Sequence, residues 1–346
     1  MESAPLNAVL TVDTAALVAN WRAFARASGG AECGAAIKAE GYGLGARGVL
    51  TALAAAGARD VFVAHWHEAA ALGPLPEGVR VAVLHGVAEG EMAAALASPA
   101  VPVLVTAAQI AVWKPTGRPC DVMVDTGMNR LGISAAEAVS GLLEGLNLDT
   151  VHSHLACADT PTHPLNARQC ADFTSLAATV PARRFALANS AGTLLGSAYH
   201  FGLTRPGIGI YGGGPGPDGD GLAAVAGISA RILQVRDVPA GQSVGYGATF
   251  TAPRQTRLAI AALGYADGYP WSLSNRGEAI VGGTRCPLVG RVSMDLTAFD
   301  VSDAPDCREG GWIDIGFDLA ATAAATGRTQ YELLTGLGAR YQRVYK

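Results

Sequence analysis

The chain has 346 residues, half of them apolar and 16% charged, with a formal net charge of −4. This balance excludes a nucleic-acid or anionic-membrane surface as the main partner, and no apolar run approaches the roughly 20 residues of a transmembrane helix. Met1 to Leu6 lack the basic and apolar segments of a secretory signal, and six scattered cysteines without a C-x-x-C pair read as reduced thiols in the cytoplasm.

Residues 33–210 alternate short apolar runs with alanine-rich segments of helical composition. The runs are Cys33–Ile37, Val61–Ala64, Val81–Leu84, Val101–Val105, Cys120–Val124, Thr150–His154, Arg184–Leu187 and Leu203–Ile210. Between them lie Gly45–Ala56, Ala88–Ala97 and Ala167–Ala178, rich in Ala and Leu. Strands alternating with helices give parallel βα units, and eight such units predict an α/β fold of the closed (β/α)8 TIM-barrel type. Gly212–Gly221 reads as a linker. Beyond it Gly227–Gln234, Leu258–Leu263, Glu278–Val281, Cys286–Val292 and Leu296–Val301 have strand composition, separated by glycine turns, and Tyr331–Leu337 reads as a helical turn. The expected domains are therefore a barrel over 1–222 and a mainly β C-terminal domain over 223–346.

Only three lysines occur: Lys38, Lys114 and Lys346. Lys114 sits in a turn-like Lys-Pro-Thr-Gly stretch and Lys346 is the last residue. Lys38 ends the first strand and enters a glycine-rich turn, where burial can lower its pKa and a rigid strand can aim it at a carbonyl. Barrel active sites gather at the C-terminal ends of the strands. Those positions supply Lys38 and Tyr42, then Asp125 to Arg130, His152-Ser153-His154, Asn189-Ser190, and Arg205 to Ile208. Ser190 with the backbone of Gly207 and Ile208 would form a phosphate site after strands 7 and 8. An imine-forming lysine opposite such a site suggests pyridoxal 5′-phosphate. Plainer readings stand beside these: Asn189-Ser190 as a helix N-cap, Arg130 as a surface ion-pair partner, Gly207 as a turn residue. His152 and His154 would point the same way on a strand, a conceivable metal pair repeated in His65-Trp66-His67, but without acidic ligands nearby no metal is expected.

At these residues the chain strongly resembles the alanine racemase family along nearly all its length. The family's V-K-A-N-A-Y-G-H-G is matched by Ile37 to Gly45, D-T-G-M-G-R-L-G by Asp125 to Gly132 with Asn129 substituted, and H-x-A-x-A-D by His154 to Asp159. N-S-A is Asn189 to Ala191, R-P-G-I-x-x-Y-G is Arg205 to Gly212, G-Y-A-D-G is Gly264 to Gly268, and G-R-V-S-M-D is Gly290 to Asp295. The resemblance implies a cytoplasmic homodimer that interconverts L- and D-alanine with pyridoxal phosphate and supplies D-alanine for peptidoglycan.

In that resemblance Lys38 holds the cofactor and exchanges a proton on one face of the substrate α-carbon. Tyr265, reaching in from the partner subunit, does so on the other face. His154 assists Tyr265, and Arg205 faces the pyridine nitrogen. Tyr42, Ser190, Gly207 and Ile208 hold the phosphate. Arg130 contacts the cofactor phenolic oxygen and the substrate carboxylate, Met294 from the partner contacts the carboxylate too, and Arg291 and Asp295 line the entrance. The chain departs from the family pattern at Glu40 (usually Asn) and Leu44 (usually His). It departs again at Met123, where some members carry a carbamylated lysine that positions the arginine of the next motif, and at Ala339, where many carry a phosphate-contacting tyrosine that Tyr341 or Tyr345 could replace. A racemase for serine or lysine is the nearest alternative. Tyr265 and Met294 in the second domain argue against a non-catalytic cofactor carrier, and Arg205 argues against a decarboxylase.

Overall fold

A computed structural model describes residues 7–216 and 221–346, so Met1 to Leu6 and the centre of the Gly212–Gly221 stretch lie outside the described residues. The chain divides into two compact units. One comprises Leu17–Gly41 and Ala46–Ala223. The other takes in the chain up to Ala16, Tyr42–Gly45 and Ala224–Lys346. The boundary read at 222/223 therefore needs correction at two excursions. Ala8–Val12 leaves the barrel because it pairs antiparallel with Ala226–Val238 and parallel with Gln342–Tyr345. Tyr42–Gly45 leaves it because its backbone is bound by C-terminal residues described below.

In the first unit, seven parallel neighbours run in chain order: Ala35–Ala36, Asp60–Val63, Arg80–Val83, Val101–Leu104, Pro119–Asp125, Asn147–His152 and Arg184–Ala186. Leu203–Thr204 is the eighth, paired with Glu32–Cys33. Closure is completed by Gly34 and Ala36 donating to the carbonyls of Thr204 and Pro206, and by Gly202 and Arg205 donating to those of Phe185 and Ala188. Asp60–Val63 and Val101–Leu104 are buried at every position, as strands covered on both faces must be. The helix Ala46–Ala56 buries Ala46, Val49, Leu50, Leu53 and Ala54, a single i, i+3, i+4, i+7 stripe. The run Leu203–Ile210 is strand only over Leu203–Thr204, then a 3-10 turn over Ile208–Tyr211. Pro206 has no N–H to extend the ladder.

Asp60, Arg80 and Arg184 open their strands, Asp121 and Asp149 sit third in theirs and His152 ends its own, and together they form an ionic layer that the sequence did not announce. Arg184 forks onto both oxygens of Asp60 at 2.8 Å and also reaches Asp149 and Glu32. Arg80 meets Asp121 at 2.5 Å, and Asp121 meets His152 Nε2 at 3.0 Å. Asp60, Arg184, Asp121 and His152 are all buried.

The second unit is mainly β. The long strand Ala226–Val238 binds Ala8–Val12, Trp312–Ile315 and Thr256–Ala261. Glu278–Val281, Thr284–Pro287, Thr297–Asp300 and Gln342–Tyr345 complete the sheet. Val238, Ala252, Leu258 and Val289 form a core cluster against which Phe250 and Ile260 pack. The expected helical turn is Gln330–Thr335, started by a capping box in which Thr329 and Glu332 exchange bonds. Ala8–Val12, Trp312–Ile315 and Gln342–Tyr345 are strands the sequence reading did not include. Among the described residues no helix is long and apolar enough to cross a membrane.

Arg184→Ala leaves Asp60 buried with its main partner gone and should destabilise the protein by about 3–5 kcal/mol. Urea denaturation followed by circular dichroism measures this, and an unchanged midpoint would contradict a structural role for the ionic layer.

Candidate active site

Lys38 stands one residue beyond the hydrogen-bonded edge of the first barrel strand, where Ile37 donates to Phe62 O at 2.9 Å. The backbone then runs left-handed through Ala39 (φ 54°), Glu40 (φ 55°), Gly41 (φ 61°) and Tyr42 (φ 53°). Such a conformation costs an L-residue roughly 1–2 kcal/mol, and asparagine, the family's usual residue at position 40, tolerates it better than glutamate. Gly41 N–H donates to Ile37 O at 2.8 Å and the Glu40 side chain accepts from Ala46 N–H at 3.2 Å, which offsets part of that cost. Burial pushes the Lys38 amine below the ordinary lysine range. Arg130 and Arg205 push the same way, and Glu68 opposes them.

At the other strand ends, the Asp125 carboxylate gathers the loop that carries Arg130. Its oxygens accept from the N–H groups of Gly127, Met128 and Arg130 at 2.7–2.8 Å. Asn129 sits at φ 56° within this loop. The loop backbone is thus fixed by Asp125, while Met123 is buried and offers no polar atom. Arg205 is buried. Its Nη2 donates to Ser153 O at 2.6 Å, and its Nη1 is buried with no hydrogen-bond partner. Burial brings the guanidinium down to about 10, still charged at neutral pH.

His154 follows the sixth strand, which ends at His152, so the two histidines do not share a strand face. His152 belongs to the ionic layer with Asp121 instead, and this corrects its placement beside the candidate site. Among the described residues no group of His, Cys, Asp and Glu is arranged to hold a metal ion. Burial, then the charges of Arg205, Arg130 and Lys38, lower the His154 imidazole to about 3, leaving it neutral.

Asn189 caps the short helix Ser190–Thr193 by accepting from Gly192 N–H at 2.8 Å. Ser190 does something separate: its Oγ accepts from Gly207 N–H at 2.8 Å and Gly209 N–H at 3.2 Å. Both acceptor positions of the hydroxyl are filled, so its proton can point toward an anion.

In the second unit Tyr265 opens a 3-10 turn, and its N–H donates to Ser293 O, while Ala266 N–H donates to Met294 O, both at 3.0 Å. This close approach requires Gly264, whose Cβ would lie 2.3 Å from Met294 O. Arg340 ties the same two loops from below, with a fork onto Asp267 and a bond to Asp295 at 2.7 Å. Tyr265 and Met294 are 46% and 54% exposed in the isolated chain. Arg291 is exposed and lies 5.4 Å above the Trp271 ring. Tyr42 is buried beside Tyr331, ring centroids 6.2 Å apart. The Tyr345 hydroxyl donates to Leu44 O at 3.0 Å, and Tyr341 is buried.

The sequence reading missed Asp125 as an organiser and Arg340, Tyr331 and Glu68 altogether. Only Asp125 had a signal, an Asp before Thr-Gly in a turn-forming stretch. The unpartnered Arg205 Nη1 fits a ring nitrogen acceptor, and the Ser190 hydroxyl fits a phosphate oxygen, so the residues present suit pyridoxal phosphate.

A closed barrel with a pKa-lowered lysine, a buried arginine and an anion-ready hydroxyl at its mouth, followed by a β domain, defines a two-domain enzyme of covalent cofactor chemistry. The alanine racemase N-terminal domain model matches residues 12–215 and the C-terminal domain model residues 225–345. The chain belongs to the alanine racemase family. It is 46% identical to the alanine racemase of Rhodospirillum rubrum, covering 98% of this chain and 96% of that one. Identity to the alanine racemase of Methylobacterium sp. (strain 4-46) is 44% over 99% of both chains. Among solved structures, the Bartonella henselae alanine racemase with covalently bound pyridoxal phosphate superposes with a TM-score of 0.89 at 35% identity, covering 99% of this chain and all of that one.

Asp125→Ala removes an acceptor shared by three N–H groups. Amide hydrogen exchange over residues 127–130 should rise by about tenfold or more, with the barrel strands unchanged. Unaltered exchange there would show that Asp125 does not hold the Arg130 loop.

Proposed function

We propose that this chain is a cytoplasmic, homodimeric alanine racemase that uses pyridoxal phosphate and two bases, Lys38 and Tyr265, and supplies D-alanine for peptidoglycan. The barrel is the cofactor-binding domain, and the second domain contributes to the partner's site. The observation that carries the reading is Lys38: the lysine of the family's cofactor motif, with its amine lowered by burial and two arginines. The relationship to racemases over nearly the whole chain supports alanine as substrate.

When bound, the cofactor draws electron density from the substrate α-carbon and makes its proton removable. Racemisation needs a proton-transfer group on each face of that carbon. Lys38 serves one face and Tyr265 of a second copy the other. His154, lowered by burial and the charges of Arg205, Arg130 and Lys38, would assist the Tyr265 phenol of the second copy. Arg205, still charged and with its Nη1 unpartnered, would hold the cofactor's ring nitrogen as a hydrogen-bond donor. Tyr42, Ser190 and the backbone of Gly207 and Ile208 take the phosphate. Arg130 and the Met294 backbone take the substrate carboxylate, and Arg291 and Asp295 line the way in. The exposure of Tyr265, Met294, Trp271 and Tyr246 on one chain supports cover by a second copy.

Purified protein should show the absorption of lysine-bound pyridoxal phosphate and convert L-alanine to the racemate by polarimetry. Tyr265→Phe should keep that absorption and lose about 10²-fold or more in kcat; full activity in this variant would refute the two-base assignment. A higher kcat/KM for serine or lysine would displace alanine as the substrate. On serial dilution, activity per chain should fall as copies separate, and a fully active monomer would contradict the shared site.

A further inference from the structure

The helix Trp66–Ala71 begins just beyond the second barrel strand, Asp60–Val63. Its third residue, Glu68, places one carboxylate oxygen on the helix start, accepting from Ala64 N–H at 2.6 Å and His65 N–H at 3.2 Å. One oxygen is enough for such a cap. The other oxygen leaves the helix and accepts from Ala39 N–H at 2.7 Å, 29 residues earlier in the chain. Ala39 is the residue that follows Lys38 and the first left-handed residue of the turn.

We propose that Glu68 is a positioning residue for the racemase reaction, bridging the second barrel strand to the peptide after Lys38 so that the amine is aimed from a fixed turn. The bridge acts where rigidity is scarce. Ala39, Glu40 and Tyr42 are L-residues in a conformation each disfavours, so the turn persists only if its surroundings impose it. A charged acceptor on Ala39 N–H is among the stronger ways to impose it. Among the described residues the same carboxylate is the negative influence on a lysine otherwise faced by Arg130 and Arg205, with the neutral imidazole of His154 and the ring of His85 also near. Glu68 thereby sets both where the amine sits and how readily it gives up its proton. This assignment rests on Lys38 being the reactive amine, and the test separates the two.

In the cofactor-free protein, the pH dependence of acylation of each lysine by acetic anhydride is followed by mass spectrometry. Lys114 and Lys346 serve as internal references. Glu68→Gln should move the Lys38 midpoint to lower pH and raise hydrogen exchange at residues 39–41, leaving both reference lysines unchanged. With pyridoxal phosphate restored, kcat/KM should fall about tenfold or more, with the limb of the pH profile that belongs to Lys38 displaced in the same direction. An unmoved Lys38 midpoint with unchanged exchange at 39–41 would overturn the proposal, even if Glu68→Gln lowered thermal stability as a lost helix cap would. If the midpoint shifts but no form of the protein racemises any amino acid, the positioning role stands and the assigned reaction falls. Glu68→Asp, too short to span both strands, should behave like Glu68→Gln at Ala39; full retention of wild-type exchange there would also count against the bridge.

Discussion

Four consecutive left-handed residues directly after Lys38 are the constraint around which the rest of the site is arranged. L-residues leave that region unless something holds them. Here the holding comes from opposite directions along the chain. Within the barrel unit Glu68 takes the N–H of Ala39 and Glu40 takes the N–H of Ala46. Within the other unit, the Arg343 guanidinium binds Gly43 O at 2.7 and 3.1 Å, Tyr345 binds the carbonyl of Leu44, and Gly43 admits the backbone of Leu334 where no Cβ would fit. Lys38 is thus followed by a strained segment held at Ala39, Gly41, Gly43 and Leu44.

Charge at the barrel mouth follows from the same crowding. Lys38, Arg130 and Arg205 are close enough to lower one another's neighbours, and together with burial they strip His154 of its proton. Asp121, whose charge acts on Arg205, is itself bound to Arg80 and His152. Paired charges thus hold Asp60, Asp121 and Asp149, while Lys38, Arg130 and Arg205 gather at the strand ends with Glu68 opposing them at Lys38. A mouth of that sign favours anions such as a phosphate and a carboxylate.

The barrel was legible because its eight strands are near-continuous apolar runs separated by amphipathic helices, a rhythm burial on both faces dictates. The eighth run was overextended because Leu203, Ile208 and Ile210 were joined across Arg205-Pro206-Gly207, where Pro206 cannot donate to the ladder. Ala8–Val12 and Gln342–Tyr345 were missed as strands because their partners are each other and Ala226–Val238, distant in sequence. Lys38, Arg205, Ser190 and His154 could be picked out from strand ends and motif spacing. Glu68, Arg340 and Tyr331 could not. Each acts through contacts across tens to hundreds of residues, and a lone Glu, Arg or Tyr in a helix or near a terminus carries no local mark of such a partner.

The clasp on Gly43 and Leu44 also fixes an order of events. Its bonds join residues 300 and 301 positions apart, and contacts of such separation form late because a very long loop must close first. The barrel strands, whose pairings lie closer together in the sequence, can therefore form before the turn beside Lys38 is clasped. The barrel and the turn would then be ordered in separate steps, the second governed by contacts 300 or more positions away.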